Sequence, residues 1–164
     1  MSLYQLSVTL HLLAALFWLG GMFFLAAVGA PVLRRVEPES LRAELFRSLG
    51  ERYRLAGWIA VVVLLVTGTA NLHFREILRW ELLGEAAFWS TAYGRALAWK
   101  LAAVVAMLVL QALHDFAIGP RASRVEPGTP LAASLRRRAA WLARLSAIIG
   151  IGLVVTAVRL ARGG

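Results

Sequence analysis

LYQLSVTLHLLAALFWLGGMFFLAAVGAPVL, Leu3 to Leu33, is the stretch whose reading decides the fold. It contains no Asp, Glu, Lys or Arg, and a helix drawn through it is apolar around its whole circumference, so a soluble amphipathic bundle does not accommodate it. Its solvent is lipid. In hydrocarbon every backbone N–H and C=O has to be satisfied within the segment, which for a run of this length means a helix and excludes a β-barrel. Val28 and Ala30 are spaced as a signal-peptide cleavage site requires, but three features oppose that reading. The leading residues lack Lys and Arg, the apolar run is too long, and Arg34 and Arg35 follow at once as a stop signal.

Working outward, three more apolar stretches follow, Leu55 to Leu72, Ala96 to Ile118 and Leu142 to Leu160. The expectation is an all-α integral membrane four-helix bundle forming a single domain over 1–164, with spans near 3–33, 55–73, 96–118 and 140–161. A chain of 164 residues that is 60% hydrophobic leaves no room for a separate catalytic domain. The absence of cysteine removes disulfides, thiolate metal sites and cysteine nucleophiles. No internal repeat is evident, and Glu126 to Pro130 is the one stretch with strong turn punctuation.

The net charge of +9 invites a nucleic-acid reading, but the basic residues lie between apolar segments and not along one polar face, so no nucleic-acid partner is expected. Arg34, Arg35, Arg42, Arg47, Arg52 and Arg54 separate the first two spans. Arg121, Arg124, Arg136, Arg137, Arg138 and Arg144 separate the last two, whereas the opposite side carries Arg75, Arg79, Arg95, Arg159 and Arg162. The excess puts both Arg-rich connections in the cytoplasm and both termini outside, in a multi-pass protein of the inner (cytoplasmic) membrane. FREILRWELLGEAAFW, from Phe74, reads as a short interfacial helix on the outer leaflet, interrupted at Gly84.

A charge at bilayer depth costs about 3 kcal/mol or more, so polar residues inside the spans mark function. His11 lies two turns inside the first span with Ala15, Trp18 and Met22 close to its face; it reads as a ligand or as a buried histidine bonded to a neighbouring helix. Lys100 heads a stripe with Met107, Gln111 and His114, which should face into the bundle, although a lysine one turn from a helix end also snorkels. Thr67 and Asn71 share a face of the second span, His73 is rotated away from it at the interface, and Arg159 either pairs with an anion or snorkels.

Aligned by depth, His11, Asn71, Lys100 and Arg159 form an outer cluster with His73 at its rim. Imidazole with cations suits haem b, whose iron takes His and whose propionates take Arg or Lys. Metal ligation is expected at His11 and then His73, ahead of Lys100, and Trp18 would pack against the porphyrin edge. His114 and Asp115, near the cytoplasmic end, belong to a different environment.

TAYGRALAWKLAAVVAMLVLQALHDFAIGPR, Thr91 to Arg121, resembles the copper-resistance protein D family: a tyrosine-glycine-arginine turn, a helix with an early lysine, and a proline-arginine exit. HLLAALFWLGG, from His11, is similar to the first helix of that family and of the related HemJ-type protoporphyrinogen oxidases, and LAGWIAVVVLLVTG, from Leu55, fits the following helix. The resemblance implies an inner-membrane protein linked to copper handling, while the HemJ-type relatives imply haem b, with His11 and Lys100 matching their paired His and Lys. Copper(I) prefers Cys and Met, and here Met22 and Met107 stand on separate helices, so haem in an electron-transfer or redox role comes first. A copper transport or homeostasis module and a membrane scaffold or assembly factor are the other two readings. An enzyme of this kind would be a haem-dependent oxidoreductase, and a periplasmic redox or copper-binding protein is the expected partner beyond the lipid bilayer.

Overall fold

A computed structural model describes residues 1–125 and 129–162. Those residues form helices joined by short turns, with no strand among them. Four helical stretches, Leu3–Leu33, Glu39–Phe74, Ala92–Ala122 and Ala133–Ala161, are long and apolar enough to cross a membrane. Leu16, Val66, Val105 and Ile148, one on each, are 60–69% exposed. Apolar surface on that scale is a liability in water and the natural boundary in lipid, so this is a multi-pass membrane protein.

The chain divides into two compact units, Met1–Leu83 and Gly84 onward. In the first, α1 (Leu3–Phe24) is capped by Ser2, whose hydroxyl accepts from Gln5 N–H while the Gln5 side chain accepts from Ser2 N–H. A π-helical turn, Leu25–Gly29, then leads into α2 (Ala30–Leu33). Its cause is Pro31, which has no N–H and crowds the carbonyls behind it, so the ladder slips and Ala30 N–H reaches five residues back to Leu25. The chain returns through α3 (Glu39–Phe74), packed on α1 around buried Ser7, Trp18, Gly57, Ala60, Val61 and Thr67.

α3 starts sixteen residues before the span expected at 55–73. The Arg-rich connection is therefore mostly helix, projecting about 24 Å past the apolar stretch at 1.5 Å per residue. Good helix formers and the pairs Arg42–Glu39 (3.1 Å) and Arg47–Glu51 (3.4 Å) suffice to carry it there. The expected interfacial helix takes the form of two five-residue pieces, α4 (Trp80–Gly84) and α5 (Ala86–Ser90), with Glu85 extended between them.

In the second unit, α6 (Ala92–Ala112) is capped by the Thr91 hydroxyl on Gly94 N–H, and the same hydroxyl donates to Phe88 C=O at 2.7 Å. Gly94 has no alternative here: a Cβ would collide with Phe88 C=O and lie 2.9 Å from Trp89 Cα. A π-turn, Leu113–Ile118, precedes α7 (Gly119–Arg124) and its Pro120, with Gly119 N–H bonded back to His114 C=O. α8 (Pro130–Ala161) packs on α6 and extends the span expected at 140–161 by ten residues. Of the turn expected at Glu126 to Pro130, residues 126–128 lie outside the described residues.

No internal repeat is evident in the sequence, yet the two units share local features at a common spacing. An offset of 89 residues carries the cap Ser2 onto the cap Thr91, the helix start Leu3 onto Ala92, the end of one π-turn at Gly29 onto the other at Ile118, and Pro31 onto Pro120. It carries buried Trp18, Gly57 and Val61 onto buried Met107, Ser146 and Gly150. This correspondence is not legible in the sequence, because along apolar helices one apolar residue serves as well as another. Only Arg-Val-Glu-Pro, at 35–38 and again at 124–127, survives as an identical run of four.

Candidate functional site

In the first unit the site is built where α1 and α3 touch. His11, half-buried, sets Nδ1 2.8 Å from the hydroxyl of buried Thr67. That hydroxyl has one proton, and it is committed to Val63 C=O, 2.6 Å away and one turn back along α3. It therefore accepts from His11, and Nδ1 is the protonated nitrogen. A neutral ring so held carries its lone pair on Nε2, the tautomer in which histidine binds a metal or accepts a proton. Ser7, one turn before His11, donates to Thr67 C=O at 3.3 Å and so fastens the same pair of helices. Gly68 leaves room for the ring: a Cβ there would lie 3.3 Å from His11 Cε1.

One turn beyond Thr67, Asn71 has a buried Oδ1 with no hydrogen-bond partner among the described residues. An orphaned buried acceptor costs about 1–3 kcal/mol, which sets Asn71 apart from ordinary packing. His73 is exposed in the last turn of α3, its ring tilted against Phe74 at 6.0 Å. Trp18, expected to line a porphyrin edge, is 3% exposed and belongs to the α1–α3 core: it lies on Gly57 and accepts the Tyr53 hydroxyl at its carbonyl.

In the second unit Lys100 is half-buried on α6 and Arg159 is exposed in the last turn of α8. Met107 is buried, with Gln111 and His114 half-buried, as expected of a stripe that turns away from lipid. The hub of its far end is a residue the sequence reading set aside. Asp115, 6% exposed, accepts from the Gln111 amide at 2.6 Å and from His114 Nδ1 at 2.9 Å. The signal for this was the i,i+4 spacing of Gln111 and Asp115. The His114 contact, between sequence neighbours, lies in the π-turn, which no spacing rule foretells.

No group of three or more His, Cys, Asp or Glu side chains that could hold a metal ion exists among the described residues. A bare ion bound by protein donors alone is poorly served. A cofactor that brings most of its own donors and asks the protein for one oriented imidazole fits what is present.

Comparison with known proteins bears on the chain as a whole. Residues 47–160 match the family described as Copper resistance protein D. The chain belongs to that family. An uncharacterized protein of Aquifex aeolicus (strain VF5) is 29% identical over 160 residues, which cover 97% of this chain and 96% of the relative. No solved structure matches. The copper-resistance D match runs from the Arg-rich half of α3 to the end of α8, so it includes Thr67, Asn71, Lys100 and Asp115 and leaves His11 outside. The tyrosine-glycine-arginine turn that carried the resemblance is a structural device here: Gly94 and Thr91 close the cap, and Arg95 ties back to Ser90 C=O.

Proposed function

We propose that this copper-resistance-related membrane protein holds haem b, with His11 as an axial ligand through Nε2, and serves electron transfer. The observation that carries the reading is the proton count at Thr67, which makes the ring a donor at Nδ1 and leaves the coordinating lone pair on Nε2. Asn71, with an acceptor still to be satisfied, suits a group arriving beside the ring. Bound haem would supply one-electron chemistry, and this chain's part would be to orient the imidazole and exclude water. His73, in the same unit as His11, is the remaining candidate for the second axial position.

The basic halves of α3 and α8 support a cytoplasmic location for both Arg-rich connections, with the His11 end of the protein and both termini outside. The protein purified after expression with adequate haem should show a Soret band. His11→Ala should abolish haem retention at matched folded yield while His114→Ala keeps it. Retention in the first variant with loss in the second would refute the assignment. A copper centre is the second reading, favoured by the family description; metal analysis finding copper in haem-free protein would select it.

A further inference from the structure

The two Arg-rich helix halves differ in what balances their charge. Along α3 the arginines are interspersed with Glu39, Glu44 and Glu51, and Arg42 and Arg47 form ion pairs within the helix. α8 contains no Asp or Glu, and among the described residues no carboxylate pairs with Arg137, Arg138 or Arg144. At about 3.6 residues per turn Arg137, Trp141, Arg144 and Ile148 fall on one stripe of α8, with Leu145 beside it. All five are exposed, while Leu135, Ser146 and Gly150, on the opposite side of the helix, are buried. Arg144 stands just past Leu142, where the apolar stretch begins, and no charged residue follows it until Arg159. A cation there needs a counter-charge or a route to the surface. Its guanidinium lies 5.5 Å from the centre of the Trp141 ring, one turn nearer the Arg-rich end. Around the pair, Trp141, Leu142, Arg144, Leu145 and Ile148 line a shallow apolar groove of about 310 Å³.

We propose that this face of α8 binds an anionic phospholipid of the surrounding leaflet, with Arg144 donating to its phosphate and an acyl chain lying in the groove beside Leu145 and Ile148. Charge complementarity chooses the occupant. A guanidinium matches phosphate oxygens with two parallel N–H groups, and the Trp141 contact restrains it at the depth where the apolar groove begins. Arg137, seven residues earlier, lies about 10 Å nearer the membrane surface, at the level of the headgroup. A zwitterionic lipid would bring its own ammonium against Arg137, whereas a lipid of net negative charge meets only attraction. A second copy of the chain docking through the same face would bring further arginines and no carboxylate from α8. The site depends neither on haem nor on which side of the membrane this end occupies.

Trp141 provides the test, because brominated acyl chains quench tryptophan on contact and the emission lost in Trp141→Phe isolates its share from that of the other tryptophans. Full-length protein is reconstituted in phosphatidylcholine vesicles carrying equal mole fractions of either brominated phosphatidylglycerol or brominated phosphatidylcholine. The phosphatidylglycerol should quench the Trp141 component preferentially. At about fivefold per arginine, Arg144→Gln and Arg137→Gln should each lower that preference by about fivefold, and Arg47→Gln on α3 should leave it unchanged. Arg137 lies outside the apolar stretch, so its variant keeps the test valid if Arg144→Gln folds poorly. Equal quenching by the two lipids overturns the site. An equal effect of Arg47→Gln overturns it in favour of diffuse attraction to the basic surface. Loss of the preference on adding inorganic phosphate at matched ionic strength overturns it in favour of a soluble anion, and shielding of Trp141 from both lipids in favour of a protein neighbour. None of these readings involves haem, so failure of the haem assignment and failure of this proposal are distinguishable.

Discussion

Thr67→Val removes the hydroxyl while keeping the branched shape, and its consequence can be worked from the proton count. The bond from Thr67 Oγ1 to Val63 C=O is lost at little cost, because that carbonyl keeps its place in the helical ladder. The bond from His11 Nδ1, 2.8 Å long, is a different matter. Its N–H faces buried Thr67 from a half-buried ring, and losing the acceptor costs about 1–3 kcal/mol. At about 1.4 kcal/mol per tenfold, that is about 5- to 150-fold in any equilibrium requiring the Nδ1–H tautomer. It brackets the ~10–100-fold loss typical when a partner behind a metal-ligating histidine is removed. Thr67→Ser keeps the acceptor and should stay near wild type, apart from about 1 kcal/mol for the lost methyl. Two measurements serve: the 15N signature of the His11 ring, and haem affinity by optical titration. Thr67→Val with an unchanged Nδ1–H ring and unchanged affinity would refute the reasoning, since the hydroxyl would then not be selecting the tautomer.

Gly94→Ala should destabilise the protein by about 3 kcal/mol, because the new methyl meets backbone at Phe88 and Trp89 that has nowhere to move; thermal unfolding in detergent checks it, and an unchanged Tm would mean the turn is looser than described. Asp115→Leu should cost about 1–3 kcal/mol by stranding the Gln111 amide and His114 Nδ1, and adding Gln111→Leu should recover part of it; a double variant as unstable as the sum of the two singles would show that these side chains act independently. Reporter fusions after Gly164 should be active only in periplasmic format, and cytoplasmic activity there would invert the topology. A spin label at Gln111 should be shielded from a membrane-soluble quencher, and strong quenching would place the Lys100 stripe against lipid.

The apolar runs alone determined that the chain is helical and membrane-embedded, because hydrocarbon permits no other way to satisfy the backbone of a stretch like Leu3–Leu33. They also confined the search for function to a few polar residues, since each ionisable group at that depth needs a reason to be there. Residue spacing on one helix put Gln111 and His114 on one half-buried face. It could not give contacts between helices, which depend on rotation and on the offset of one helix along another. His11 and Thr67 are 56 residues apart, and only the packing of α1 on α3 brings an imidazole against a hydroxyl whose proton is spent. Spacing likewise passed over Asp115, whose bond to its neighbour His114 lies in the π-turn before Pro120. The likeness of the two units was hidden for a related reason. Lipid accepts nearly any apolar side chain, so the sequences of the two units differ, while caps, prolines and backbone-bonded threonines, which serve geometry, fall at matching places.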